Sequence, residues 1–392
     1  MMLQTVGDCR DRQLLIAAPP LPECELSAIV PVKDEAQNLR ETLTALATQT
    51  DLHGRPLDCR RYEIIVLANN CTDRSAAIAR QFATAHPQLV LHVAELHLPP
   101  AKAYIGYVRK LLMDEAYRRL MSLGRRRGII ASTDGDTKVA NTWVAATIHE
   151  INSGVDAVGG RILTDRHSRH KLPPQARTWF LQEVGYRSSI AQVESHLDPD
   201  PHDPLPRHFQ HYGASLAVTV EMYAKAGGLP PVRTPEDEAF YQALVRVDAR
   251  FRHSPLVRVT TSARAAGRSP VGLANQLSKW TQLSIGTVME VEPATAIVAR
   301  LGSRRKLRQL WHKLWAGYQV SHQELAQLAT RLGVSHNWLL AACDRSPTFG
   351  RLSEYVTKYQ QQNCPQHWQP IDIQTAISDL RQHIARFDRR PI

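Results

Sequence analysis

Leu26–Leu46 reads LSAIVPVKDEAQNLRETLTAL. Its first seven residues form an apolar run broken only by Ser27, suited to a buried strand, and Leu39, Leu43 and Leu46 then recur at helical spacing. The unit repeats: YEIIVLA (62–68) precedes TDRSAAIARQFATAH (72–86), LVLHVA (89–94) precedes IGYVRKLLMDEAYRRLMSL (105–123), and GIIAST (128–133) precedes VANTWVAATIHEINSG (139–154). Strands alternating with amphipathic helices make an α/β fold whose sheet is mostly parallel and covered on both faces. In such sheets ligands bind at the carboxyl ends of the strands, where loops and helix N-termini gather. The polar residues that follow each strand are therefore the informative ones.

The chain has 392 residues, enough for one large domain with an appendage or for two domains, and its 43% apolar and 22% charged fractions are those of a globular protein. No apolar run approaches the roughly 20 residues of a spanning helix, and the N-terminal stretch does not read as a signal peptide. Six cysteines with no CxxC pair indicate neither a zinc site nor a disulfide framework, so reduced thiols and a cytoplasmic location are expected. A net charge of +11 points to anionic partners. Residues 1–25 read as a loosely held leader, 26–285 as the α/β domain and 286–392 as a helical C-terminal extension. That extension includes RRKLRQLWHKLWAGY (304–318), HQELAQLATRLG (322–333) and DIQTAISDLRQHIARF (372–387).

Four strand-end or helix-start segments can carry chemistry. PVKDEAQNL (31–39) places Pro31, Lys33, Asp34 and Glu35 at the ligand edge, although acids before a helix are also ordinary caps. ANNCTDRS (68–75) offers Asn69, Asn70 and Asp73 to a heterocyclic base, or equally an Asx turn. TDGDT (133–137) sets Asp134 and Asp136 around Gly135, a pattern that suits a hard cation such as Mg2+ or Mn2+, or a plain surface turn. TPEDEAFYQAL (234–244) starts a helix with Glu236, Asp237 and Glu238, which can answer the helix dipole or supply a general base.

Taken in order, VPVKDEAQNLRETLTAL, IIVLANNCTDRSAAIA, ASTDGDT before a tryptophan-bearing helix, GASLAVTVEMYAKAGGLPP (213–231) and PEDEAF (235–240) resemble inverting family 2 glycosyltransferases of the GT-A fold. The resemblance covers roughly residues 26–265. It implies a Rossmann-like nucleotide-binding sheet and transfer of a sugar from a nucleotide-diphospho-sugar to a hydroxyl acceptor, with inversion and a divalent cation. By the same resemblance Pro31, Val32 and Glu35 border the nucleotide, and Asn69 meets the base where relatives commonly carry an acid. Lys102 lies near the diphosphate, with Arg109 a second basic position. Asp134 and Gly135 line the nucleotide-sugar site, Asp134 touching ribose or metal, and Asp136 holds the cation. Asp237 deprotonates the acceptor with Glu236 beside it. His253 in FRHSP completes the metal shell or serves a structural role, and Arg264 and Arg268 in TSARAAGR clamp diphosphate or remain solvated. The chemistry is a single displacement at the anomeric carbon, with no covalent glycosyl enzyme.

The helix of 304–318 puts Leu307, Leu310, Trp311, Leu314 and Trp315 on one face. That face suits packing onto the catalytic domain with the helix's arginines in water, and the alternative is a peripheral contact at the inner membrane surface. The 321–343 segment has a helix-turn-helix-like pattern, which with the basic charge offers a DNA-binding regulator as the competing function. Its second helix carries no arginine or lysine between Val334 and Cys343, which argues against nucleic acid. Nucleotidyl transfer would want a glycine-rich phosphate loop, and VPVKDEAQNL has no glycine. A noncatalytic glycosyltransferase relative is the remaining alternative.

Overall fold

The computed structural model describes residues 14–263, 272–282, 287–364 and 368–388. In chain order the elements begin with β1 (Leu26–Val32), α1 (Leu39–Ala47), β2 (Tyr62–Asn69), α2 (Ser75–Ala85), β3 (Leu91–Leu96), α3 (Ile105–Ser122) and β4 (Ile129–Ser132). There follow β5 (Thr137–Val139), α4 (Trp143–Asn152), β6 (Ala157–Thr164), α5 (Arg166–His170), α6 (Pro174–Leu197), β7 (Leu216–Thr219), α7 (Val220–Lys225), α8 (Glu236–Arg246) and β8 (Phe251–Thr261). The C-terminal part holds α9 (Leu273–Gln282), β9 (Glu290–Val291), α10 (Ala294–Trp315), α11 (His322–Leu332), α12 (His336–Asp344), α13 (Phe349–Asn363), β10 (Ile371–Asp372) and α14 (Ile373–Asp388).

The main sheet has the order β3-β2-β1-β4-β7-β6-β8-β5. Its first four strands run parallel, as the alternating pattern requires, with β1 paired to both β2 and β4. Beyond β4 the sheet is mixed: β7 runs antiparallel to β4 and β6, β6 and β8 run parallel, and β5 closes the far edge antiparallel to β8. The expected α/β sheet with a helical C-terminal region is what the chain forms.

Every residue of β1 and β2 is buried. Covering helices explain why these strands are continuous apolar runs rather than alternating ones. On α1, Leu39, Leu43 and Leu46 are fully buried in the same core as Leu26, Val30, Ile64 and Val66. Each such side chain stabilises the fold by roughly 1.5–3 kcal/mol relative to exposure. Strand β2 also buries Glu63, whose carboxylate takes both Nε and Nη2 of Arg119 on α3 and the hydroxyl of Ser27 on β1. A charge that deep needs this many donors.

The chain divides into two compact units. The first comprises Met1–Pro173, Gln210–Leu244 and Ala249–Lys279, and the second Pro174–Phe209, Val245–Asp248 and Trp280–Ile392. Helix α6, expected inside the 26–285 domain, thus belongs to the helical unit. There its Tyr186 and Val193 pack with Ile297 and Leu301 of α10 and Ala376 and Leu380 of α14. Ion pairs reinforce that packing: Arg304 holds Glu194 at 2.7 Å and Arg308 holds Asp198 at 3.0 Å.

The helix-turn-helix-like segment does form two helices, capped by Ser321 and Ser335 and separated by Gly333 in the left-handed conformation at φ 69°. Leu325, Leu328, Leu339 and Ala342 turn inward against Leu307, Leu310, Trp311 and Leu352. The apolar face of 304–315 is therefore spent on this helical core, apart from Trp315, which is 68% exposed. No helix among the described residues is long and apolar enough to cross a membrane.

Candidate active site

The carboxyl ends of β1, β2 and β4 bring the first three segments together. Gly135 lies so close to the loop after β1 that a Cβ there would stand 3.2 Å from Val32 Cγ2, 3.3 Å from Glu35 Cγ and 3.4 Å from the Pro31 carbonyl. Thr42 fixes this approach by donating to the Gly135 carbonyl at 3.0 Å. Pro31, Val32, Glu35 and Gly135 thus form one wall. Glu35 is oriented by the Asn38 amide, and its backbone N–H donates to Ser75 Oγ.

Two of the acids in these loops act as braces. Asp34 accepts from the backbone N–H groups of Thr72 and Asp73, and Asp73 accepts from those of Ala36 and Ser75. The loops after β1 and β2 are thereby tied to each other, which is the turn-and-cap outcome rather than the base-pairing one. Asn69 differs. It is 4% exposed, and its Oδ1 is buried without a hydrogen-bond partner among the described residues, as is Thr133 Oγ1 at the end of β4. A buried acceptor left open at a ligand edge is an invitation to a donor group.

The centre of the site is Arg109 on α3. Its Nε donates to Glu236 Oε1 at 3.1 Å, Nη2 to Asp134 Oδ1 at 3.0 Å, and Nη1 to the Gly213 carbonyl at 3.0 Å and to Ser132 Oγ. Burial opposes the guanidinium charge, but Asp134, Glu236 and Asp237 outweigh it and raise its pKa above the ordinary value. Burial likewise lifts the Glu236 carboxyl above its usual range, countered by Arg109 and aided by Asp237.

Asp237 opens α8 beside this cluster. Its Oδ2 accepts from the Gly213 N–H at 2.9 Å and its Oδ1 from the Glu238 N–H at 2.9 Å. Glu238 in turn meets His211 Nε2 at 2.8 Å, while His211 Nδ1 is buried without a partner among the described residues. The His211 ring stacks on Tyr241 at 3.8 Å.

The remaining expected residues are spread more widely. Asp136 lies half-buried in the turn into β5, accepting from Thr137 Oγ1 at 3.4 Å. His253 is buried on β8 among the rings of His211, Tyr241 and Phe251. Among the described residues, the trio whose ligand atoms all lie within 4.8 Å of one another is Asp34, Cys71 and Asp73, not Asp134, Asp136 and His253. One Asp134 oxygen is turned to Arg109, and His253 is held in the aromatic stack. Lys102 is exposed in the loop before α3, its Nζ 5.5 Å from the Tyr107 ring centre. Arg264 and Arg268 lie outside the described residues.

Sequence reasoning gave Arg109 a minor place and omitted Gly213 and His211. The signal for Arg109 was present: it shares the i, i+3, i+4, i+7 stripe of Leu112, Met113 and Ala116, all buried. A charge on an apolar stripe requires partners.

The chain is similar to several known proteins. The profile described as Glycosyl transferase family 2 matches residues 27–204. Glycosyltransferase AglE of Haloferax volcanii is 29% identical over 139 residues, which is 35% of this chain and 39% of that protein. The chain thus spans well under half of that relative's length. Among solved structures, the mannosyltransferase PcManGT of Pyrobaculum calidifontis, in complex with GDP-Man and Mn2+, aligns at 15% identity and a TM-score of 0.44, covering 97% of this chain and 92% of that one. S. aureus TarS 1-349 in complex with UDP aligns at 14% identity and a TM-score of 0.43, covering 88% and 93%. At that level of similarity the fold assignment rests on the sheet order of the chain itself. The similarity to glycosyl transferase family 2 thus covers residues 27–204, a little under half of the chain.

Proposed function

We propose that this protein transfers a sugar from a nucleotide-diphospho-sugar to an acceptor hydroxyl with inversion, using a divalent cation. The observation that supports it most is that Asp134, Glu236 and the Asp237-bearing turn converge on one buried guanidinium, beside the wall of Pro31, Val32, Glu35 and Gly135.

Asp136 and Asp134 present carboxylate oxygens, the ligand type that Mg2+ and Mn2+ take, and such ions are commonly held by one or two carboxylates with substrate phosphates completing the shell. Arg109 occupies Asp134 Oδ1, and the Asp134 side chain keeps 34% of its surface exposed, so the donor set fits a cation shared with a diphosphate. Bound there, the cation would neutralise charge on the departing diphosphate. Asp237 takes the proton of the acceptor hydroxyl as its oxygen forms a bond to the anomeric carbon, and the bond from that carbon to the diphosphate oxygen breaks on the opposite face. Both Asp237 oxygens already accept one backbone N–H, which fixes the carboxylate while leaving it lone pairs for the proton. The buried Asn69 acceptor would accept from a ring or exocyclic N–H of the base.

Two variants test the assignment. Asp136→Ala should lose metal-dependent donor binding and transfer together. Asp237→Asn should bind donor as before and lose transfer by about 100-fold or more. Full transfer by either variant would remove that residue from the mechanism, and a product with retained anomeric configuration would rule out the single displacement.

A further inference from the structure

Arg109 is 3% exposed and reaches two sides of the site at once. On one side its Nη2 holds Asp134, the donor-side carboxylate. On the other its Nη1 holds the Gly213 carbonyl, and the N–H of that same glycine holds Asp237 Oδ2. A Cβ on Gly213 would lie 2.5 Å from the Arg109 Cζ, so glycine is what allows the backbone to sit directly on the guanidinium. Ser132, at the end of β4, closes the ring of partners.

We propose that Arg109 is a positioning residue that sets the aim of the base Asp237 through the backbone of Gly213, and so couples donor engagement at Asp134 to readiness of the base. The proposal rests on the assignment of Asp237 as base. Arg109 touches no reacting atom. It needs the planar fork of a guanidinium, because four partners on three separate segments cannot be met by the single nitrogen of a lysine. A donor that draws on Asp134 alters the balance of bonds at the same guanidinium that fixes Gly213, and this is the route from one substrate to the other.

The test is a double-mutant comparison on the full chain: wild type, Arg109→Lys, Asp237→Asn and the double variant, with Ser132→Ala as a milder perturbation that keeps the arginine. Arg109→Lys should lower kcat by about 100-fold, the cost of a displacement near 1 Å, with a much smaller change in donor KM. In the Asp237→Asn background the same substitution should cost nothing further, since there is no base left to aim. Ser132→Ala should show the same pattern at about tenfold. A merely structural role would instead lower kcat and raise KM together, and the losses would multiply. A kcat for Arg109→Lys within about threefold of wild type, or an undiminished loss in the Asp237→Asn background, overturns the proposal. If the wild-type chain transfers no sugar, the functional reading fails. Crystal structures of wild type, Arg109→Lys and Ser132→Ala then decide the positioning claim: Asp237 should leave the Gly213 N–H in the variants, and an unchanged bond refutes it.

Discussion

Asn69 shows how a residue can be cheap for the fold and costly for the ligand. Its Oδ1 is buried and has no partner to lose among the described residues, so truncation removes a desolvation penalty rather than a protein hydrogen bond. Asn69→Ala should leave the melting temperature nearly unchanged while weakening binding of the cognate nucleoside diphosphate by about tenfold, the worth of one satisfied hydrogen bond. Calorimetric titration checks this, and unchanged affinity would place the base elsewhere. At this scale the sequence was legible where a residue's neighbours in the chain set its role, and illegible where distant partners did. The TDGDT turn and the PEDEAF helix start point to Asp134 and Glu236, which the fold brings to one guanidinium. Asp34 and Asp73 looked like equal candidates, and only the folded loops show each bracing the backbone of the other's loop. The centrality of Arg109 depends on partners 23 to 127 residues away in the chain.

Strand β2 and helix α3 carry the clearest element-scale prediction, because their joint charge pair is fully buried. Burial alone would raise the Glu63 carboxyl. Hydrogen bonds from His92, Arg119 and Ser27 overcome it and bring the pKa down to about 2, from an ordinary 4.5. A carboxyl depressed on folding contributes stability that is complete above the unfolded value and is lost as pH falls through the folded one. Stability should therefore decline between about pH 4.5 and pH 2. That decline should be shallower in Glu63→Gln by urea unfolding at several pH values, and an equally steep decline would move the acid sensitivity to other groups. Arg119→Ala at neutral pH should cost about 3–5 kcal/mol by leaving Glu63 charged and unpaired. The parallel half of the sheet was readable because strands covered on both faces are continuous apolar runs. The other half was not: β6 contains Gly159 and Gly160, β7 is four residues long, and β8 is interrupted by Pro255 and alternates toward its end. Pairing between such strands is set by tertiary contacts that periodicity does not encode.

Across the whole molecule, chain order and compact units do not coincide. The helix 174–197 reads as part of the α/β domain because it precedes the PEDEAF segment, yet its buried residues pack with α10 and α14. A chain cut after residue 285 should leave Tyr186 and Val193 without their partners and expose a contiguous apolar face. Such a fragment should aggregate on size-exclusion chromatography, and a monomeric, cooperatively melting fragment would contradict the division. Donor binding at the strand ends of the first unit is read by thermal melting. Wild type and Asp136→Ala are melted with UDP-, GDP-, ADP- and dTDP-sugars, each with and without Mn2+. Ligand that binds only the folded state raises the midpoint. Wild type should show a rise with one nucleotide class, only when Mn2+ is present, and Asp136→Ala should show none. No rise for wild type with any donor, or an equal rise in the variant, would contradict this reading.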